Sequence, residues 1–260
     1  MKATPIHTSI FNEGENLPQF IVAHIPSVKE KTVVAVSSKL TGLWKKCTVL
    51  YKDAAQKERL ILRESQGALK TKLAWLTVKN GMIMTNAGID ESNANGKLIL
   101  LPQDCYAVAE ELRTSLKTLW NVQNLGIIIT DSMILPLRAG VIGASVGYAG
   151  FKGVKDLRGH NDLCGRKLKT TLVDLADTLA STATVLMGEA DEQSPLCVIE
   201  QAPVEFVDFR FRRSATTTTT THLPFPFFAF KAFAFFATTP SLPFFMKSST
   251  STKQQNVKTT

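Results

Sequence analysis

The sequence predicts an α+β fold: mixed, largely antiparallel sheets with packed helices. Two observations carry that expectation. Short apolar, β-branched runs outnumber stretches of helical periodicity. At least one pair of those runs is joined by a tight hairpin signal, which a doubly wound parallel sheet does not use.

Taken in order, Lys31–Ser37 (KTVVAVS) is short, apolar and β-branched, and reads as a buried strand. Leu73–Val78 and Met82–Thr85 flank Lys79-Asn80-Gly81, and the Asn-Gly pair favours a two-stranded hairpin. Leu98–Leu101 is a short strand stopped by Pro102. Asp104 can cap a helix running to about Trp120, with Val108, Leu112, Leu116 and Leu119 on one face. Gly126–Thr130 (GIIIT) is the clearest strand in the chain. Residues 172–187 read as a helix burying Leu172, Leu175, Leu179 and Val185, stopped by Gly188. Cys197–Glu200 (CVIE) reads as a last strand.

Composition divides the 260 residues near Asp208. The formal charge of +8 suggests a nucleic-acid or membrane-surface partner until the charge is located. After Asp208 there are seven basic residues and no acidic one, so residues 1–208 hold 23 bases against 22 acids. All 15 glycines precede that point, and 12 of the 15 phenylalanines lie from Phe206 onward. Residues 1–208 therefore read as one working domain. Residues 209–260, a Thr-rich then Phe/Ala/Pro-rich tail, read as disordered or as a frame-altered end. The near-neutral body gives no support to nucleic-acid binding, and no apolar stretch reaches the roughly 20 residues of a membrane helix. Cys47, Cys105, Cys164 and Cys197 form no CxxC pair, which argues against structural zinc. Four scattered cysteines without a secretory signal suit a cytoplasmic, reducing setting.

Neither a GxxxxGK[ST] loop nor a GxGxxG turn is present, so any nucleotide is held another way. Residues 86–93 (NAGIDESN) pack carboxylates, carboxamides and a hydroxyl around Gly88. Asp90 and Asn93 there offer hard oxygen ligands for Mg²⁺ or Mn²⁺, unless the segment is only a polar turn capping its own backbone. Residues 127–132 (IIITDS) deliver Asp131 and Ser132 at the end of an apolar strand, where ligands commonly bind. Met187–Glu192 places Glu189 in a loop after a helix. Three such acidic loops suit divalent ions beside a triphosphate, although each alone is as readily a solvated turn. Glycines at 140, 143, 147 and 150 permit close backbone approach, to a ligand or in subunit or sheet packing. Arg138, Arg158 and Arg166 are candidates for oxyanion recognition, with surface placement the alternative. His7, His24 and His160 show no metal spacing or triad partner and read as structural or surface residues.

Together these segments resemble the coenzyme F420-0:L-glutamate ligase family, the γ-glutamyl ligases of deazaflavin cofactor synthesis. The resemblance rests on ordered blocks: Thr-Pro-Ile at 4–6, NAGIDESN at 86–93, IITDS at 128–132 and PLRAGVIG at 136–143. DLRGHNDLCGRKL at 156–168, the long block at 173–200 and PVEFVD at 203–208 complete it. It implies a GTP-dependent, amide-forming ligase and an intertwined α+β homodimer. The γ-phosphate activates an acceptor carboxylate as an acyl phosphate, and the amine of L-glutamate attacks it. Two divalent ions, Mg²⁺ or Mn²⁺, assist, with K⁺ in some members. By the resemblance Asp90, Asp131, Ser132 and Glu189 match metal-holding positions, Asp131 and Arg138 catalytic ones, and Asn93 a nucleotide contact. Thr4, Pro5, Ile6 and His7, with Ser38 and Lys39, fall where the family touches GTP.

One departure bears on the acceptor. Met133-Ile-Leu-Pro-Leu stands where relatives carry a polar or Gly-Arg-Pro-type segment. A more apolar wall there would suit the flat ring of a folate, the acceptor of one branch of the family, with the deazaflavin as the near-equal alternative. The other alternative is a non-catalytic or degraded relative that only binds nucleotide and metal.

Overall fold

Thr32–Ser37 (β2) is buried along both faces, and it forms the middle of the main sheet. In the computed structural model, which describes residues 1–94, 96–135 and 138–208, the chain begins with β1 (Lys2–Ile6) and α1 (Leu17–His24) before β2. There follow α2 (Ser38–Trp44), β3 (Thr48–Leu50), α3 (Ala54–Arg63), β4 (Gly67–Lys70), β5 (Trp75–Lys79), β6 (Met82–Thr85) and β7 (Lys97–Ile99). Then come α4 (Cys105–Trp120), β8 (Leu125–Ile134), β9 (Val141–Ala149), β10 (Val154–Asp156), β11 (Leu172–Asp174), α5 (Leu175–Met187) and β12 (Leu196–Glu200). The α+β expectation holds: the five-stranded sheet runs β1-β12-β2-β8-β9, and every neighbour pair is antiparallel except β2 with β8.

Alternation along β2 and β8 feeds two cores. Val34, Val36, Ile127 and Ile129 pack on one face with Leu17 and Ile21 of α1 and with Val108, Leu112 and Leu116 of α4. Val33, Ala35 and Ile128 pack on the other with Ala176, Leu179, Ala180 and Ala183 of α5. Period-two alternation in a strand with both faces covered requires this split.

The 38–124 excursion between the two parallel strands carries a smaller unit. There β4-β5-β6 form a three-stranded sheet, and β3 pairs with β7. Its hairpin is the one signalled by Asn80-Gly81, both at positive φ (51° and 71°), with Lys79 opposite Met82.

Several element boundaries differ from the sequence reading. Asp104 caps α4 by accepting the Ala107 N–H at 2.9 Å, but Leu119 is exposed, and the buried face is completed by Cys105, Ala109 and Arg113. The predicted 172–187 helix starts at Leu175, because Asp174 is its N-cap, and Leu172 and Val185 are exposed. Gly188, at φ 82°, ends it as expected. Two glycines of the run, Gly143 and Gly147, are positions of close helix packing on β9, while Gly140 faces open space. A Cβ at Gly143 would strike Thr184 and the Ala180 carbonyl of α5, and one at Gly147 would strike Cys105 of α4.

The described chain closes on a buried cation. Arg113, 3% exposed, donates to the Leu125 carbonyl (2.8 Å), Glu110 (3.0 Å) and Asp208 (2.7 Å), and Lys117 also reaches Asp208. The tail from Phe209 lies outside the described residues. Among the described residues no helix is long and apolar enough to cross a membrane.

Candidate active site

The 86–93 segment leaves β6 as a tight 3-10 turn over Asn86–Gly88, with positive φ at Asn86, Ala87 and Gly88. Part of its polarity is spent on itself. Asn86 Oδ1 accepts the Trp75 N–H at 3.0 Å, and the Thr77 hydroxyl accepts the Ala87 N–H at 2.8 Å. The polar-turn reading therefore holds for Asn86. Asp90 is different: its backbone pairs with Ile99 through bonds of 3.0 and 2.8 Å, which fixes its position and leaves the carboxylate for the cavity.

That cavity, about 270 Å³, is lined by Asp90, Glu91, Asp131, Ser132, Asn86 and Lys57 among others. Asp90 and Asp131 come from different units of the fold and meet there because β6 packs beside β8. Two successive residues at the start of α2 answer them. The Ser38 hydroxyl donates to Asp131 Oδ1 at 2.9 Å. Lys39 Nζ lies 3.0 Å from Asp90 Oδ2 and donates to the Ser92 hydroxyl at 2.6 Å. The other Asp90 oxygen accepts the Ser92 N–H at 2.7 Å. On the rim, Glu91 is held by Lys57 of α3 (2.8 Å) and by the Tyr51 hydroxyl (3.1 Å).

The two carboxyls respond in opposite directions. Burial pushes Asp131 up to about 6, reinforced by the neighbouring Asp90 charge and only partly opposed by the Ser38 hydrogen bond. Burial also acts to raise Asp90, but the Lys39 ammonium and the Ser92 bonds outweigh it and hold the carboxyl below its ordinary value. Paired titratable groups pushed apart at one cavity are a common signature of a functional site.

Three of the four expected metal-holding residues, Asp90, Asp131 and Ser132, line this one cavity, and the fourth, Glu189, is reached through Ser132. Asp131 and Ser132 are successive residues of β8, and both line the cavity. Asp131 joins Asp90, whereas the Ser132 hydroxyl donates to Glu189 Oε1 and Oε2 at 2.7 and 2.8 Å. The strand also does not end at Asp131, as the sequence suggests; β8 continues to Ile134 past a register shift at Ile129/Thr130. Among the described residues no three His, Cys, Asp or Glu side chains form a ready cage. The donor chemistry still fits hard cations in two places, the Asp90–Asp131 pair and the Ser132–Glu189 pair, since all four offer oxygen.

Other expected residues fall nearer or farther. Thr4 and Pro5 are exposed on β1, which edges the sheet, and Ile6 packs against the core. His7 approaches the Glu192 carbonyl (3.2 Å) and Thr8 bonds Gln193, so the end of β1 sits against the loop that carries Glu189. Asn93 is exposed at φ 56° and does not line the cavity. Arg138 is exposed in the β8–β9 turn and does not line it either. Arg158 and Arg166 are exposed and paired with Asp156 and Asp162, in agreement with surface placement. His24 is structural, with its ring between the Phe20 carbonyl and the Ser9 N–H. Of the apolar segment after Ser132, Met133 is in the core and Ile134 and Leu135 are exposed; none of the three lines the cavity. Pro136 and Leu137 lie outside the described residues. Sequence reasoning missed Lys57, which lines the cavity, and Tyr51, which holds Glu91 on its rim; both belong to no motif and arrive only through packing of the 38–124 unit.

The family described as F420-0:gamma-glutamyl ligase matches residues 5–201. A coenzyme F420:L-glutamate ligase of Methanopyrus kandleri is 42% identical over 159 residues, 60% of this chain and 63% of the relative. Proteins of the same name from Methanocaldococcus jannaschii (39% over 150 residues, 57% of this chain and 60% of the relative) and Archaeoglobus fulgidus (39% over 142 residues, 54% and 56%) are also similar. These alignments span less than two thirds of each relative's length. With the family match covering most of the sequence, the chain belongs to the F420-0:gamma-glutamyl ligase family.

Proposed function

We propose that the protein is a GTP-dependent γ-glutamyl ligase that joins L-glutamate to a carboxylate acceptor, a deazaflavin precursor or a folate. The observation that carries this reading is the meeting of Asp90 and Asp131, 41 positions apart in sequence, at one cavity beside Ser38 and Lys39. The relatives' name, coenzyme F420:L-glutamate ligase, supports the reaction class.

In this reading an acceptor carboxylate oxygen attacks the γ-phosphorus of GTP, GDP leaves, and an acyl phosphate forms. The glutamate amine then attacks the acyl carbon, losing a proton, and inorganic phosphate departs to leave the amide. Magnesium or manganese, held by Asp90 with Asp131 or by Ser132 with Glu189, supplies neutralisation of phosphate charge, with K⁺ as an accessory. The chain's own groups align the reactants, which accounts for most of the barrier reduction in such transfers. Ser38 orients the Asp131 carboxylate, and Lys39 presents an ammonium beside Asp90. Thr4–His7 and Asn93 border the nucleotide, and Arg138 meets an anionic substrate from the β8–β9 turn.

A homodimer accords with apolar side chains left exposed on the β8–β9 hairpin (Ile134, Val141, Ile142) and on α5 (Val185, Leu186). Cytoplasmic residence accords with four free cysteines. The decisive experiment crosses both acceptors with GTP and ATP in Mn²⁺ or Mg²⁺ and reads product mass. A glutamyl amide of either acceptor made with GTP supports the reading and identifies the acceptor. No amide from any combination sinks it in favour of a non-catalytic relative. Asp131→Asn should abolish product with the fold intact.

A further inference from the structure

We infer that the chain carries a second small-molecule site, at the end of the main sheet opposite Asp131, whose lining suits an acidic amino acid. Lys2 of β1 pairs with Glu200 of β12, and the β12–β2 register, which sets Ile199 against Val33, carries Thr32 to the next position. Lys2, Glu200 and Thr32 therefore stand in one row across three adjacent strands. Lys29 and Glu30, from the connection between α1 and β2, supply a side of the cavity, and Gln201, at φ 55°, follows β12. These residues line a space of about 310 Å³, ample for an amino acid. Ser38 and the cavity of Asp131 lie past the far end of β2, roughly 17 Å along the strand at about 3.3 Å per residue.

Thr32 is the residue that calls for a ligand. It is 1% exposed, and its Oγ1 is buried without a hydrogen-bond partner among the described residues. Buried hydroxyls are almost always paired, so one left open on a cavity wall marks where a bound group completes it. The rest of the lining sets the charge of that group. Glu30 is spent on the fold, its two oxygens accepting the Gln123 and Asn124 N–H groups at 2.6 and 2.8 Å. Glu200 gives Oε1 to Lys29 at 2.9 Å and keeps Oε2, while Lys29 uses one of its three donors there. Lys2 stands across from Glu200 without a salt bridge of its own among the described residues. The lining thus offers two ammoniums, one open carboxylate oxygen and one hydroxyl, with the Gln201 carboxamide beside them. An amino dicarboxylate presents the converse set, two carboxylates and one ammonium. Inorganic phosphate would set like charge against the open Glu200 oxygen. The ligand belongs to the class of the glutamate consumed in the proposed ligation, but its site rests on the lining alone and not on that reading.

The experiment counts radiolabelled L-glutamate bound to the full chain by equilibrium dialysis, in chelator and without nucleotide. The parent protein should bind one more equivalent per chain than Thr32→Val or Lys2→Gln. Glutarate, 4-aminobutyrate and inorganic phosphate should each compete for that equivalent at least about tenfold more weakly, since each lacks a charged group that the lining pairs. Asp131→Asn should keep the equivalent, because its cavity lies at the other end of β2. Without ligand, Thr32→Val should melt no lower than the parent, since valine removes a hydroxyl that the fold does not pair. Equal counts in the parent and either variant overturn the inference, and so does loss of the equivalent in Asp131→Asn. Phosphate binding as tightly as L-glutamate overturns it in favour of a plain anion site. A Thr32→Val protein that melts well below the parent, or does not fold, shows the hydroxyl to be used by the fold and overturns it too. These counts need no turnover, so absence of amide product would remove the ligase reading and leave this result readable.

Discussion

Replacing Asp131 by Asn should stabilise the metal-free protein at neutral pH while removing its activity. Asn keeps the volume and an oxygen that can accept the Ser38 hydroxyl at 2.9 Å, so the packing is retained. What changes is the charge. Burial places the carboxyl at about 6 in the folded protein against 3.8 for the free side chain. The folded state therefore binds more protons than the unfolded state between those values, and stability falls as pH rises through that window. About two pH units correspond to roughly 3 kcal/mol, and residual solvent contact at the cavity lowers this to about 1–3 kcal/mol. For a body of this size that is a gain of about 3–10 °C in melting temperature. Thermal melts of both proteins in chelator from pH 3.5 to 8 supply the assay. The curves should coincide below about pH 4, diverge between about pH 4 and 6, and stay separated above. An Asp131→Asn protein no more stable than the parent at pH 8, or a gap independent of pH, would refute a buried, destabilised carboxylate at this position.

Three further outcomes follow from packing, capping and burial. Gly143→Val drives a side chain into Thr184 and the Ala180 carbonyl, so α5 must lift; urea melts should show a loss of about 3 kcal/mol or complete failure to fold. Asp104→Ala removes the side-chain acceptor for the Ala107 N–H and should cost about 1 kcal/mol by the same assay, with activity retained. Arg113→Ala leaves Glu110 and the Leu125 carbonyl without their buried donor and releases Asp208. It should cost about 3–5 kcal/mol and increase proteolysis at the carboxyl end of the body, read by limited digestion and mass.

The elements were legible where their signal is local. A β-branched run such as Thr32–Ser37, a hairpin carried by Asn80-Gly81 and a helix started by Asp104 depend on neighbours within a few residues, so pattern and turn chemistry sufficed. Misplaced boundaries occurred where a short strand and a helix share one apolar stretch. Leu172 looks like the first turn of α5, yet the Asp174 cap and the pairing of β11 with β10 put it in a strand. Exposure of Leu119 and Val185 was also out of reach, because helical periodicity says which residues share a face and not how far the covering sheet extends.

The sequence by itself determined the chemistry available: which segments carry carboxylates and hydroxyls, the family blocks, and a compositional break at Asp208. Tertiary structure alone decided how that chemistry is grouped. Asp131 and Ser132, one motif in the sequence, line a single cavity with Asp90 of another segment, and the Ser132 hydroxyl also reaches Glu189, 57 positions further along the chain. The helix that follows β2 puts Ser38 and Lys39 against those carboxylates, and α3 brings Lys57 to the rim. Charge compensation depends on distances of about 3 Å between residues dozens of positions apart, and only the folded chain specifies those.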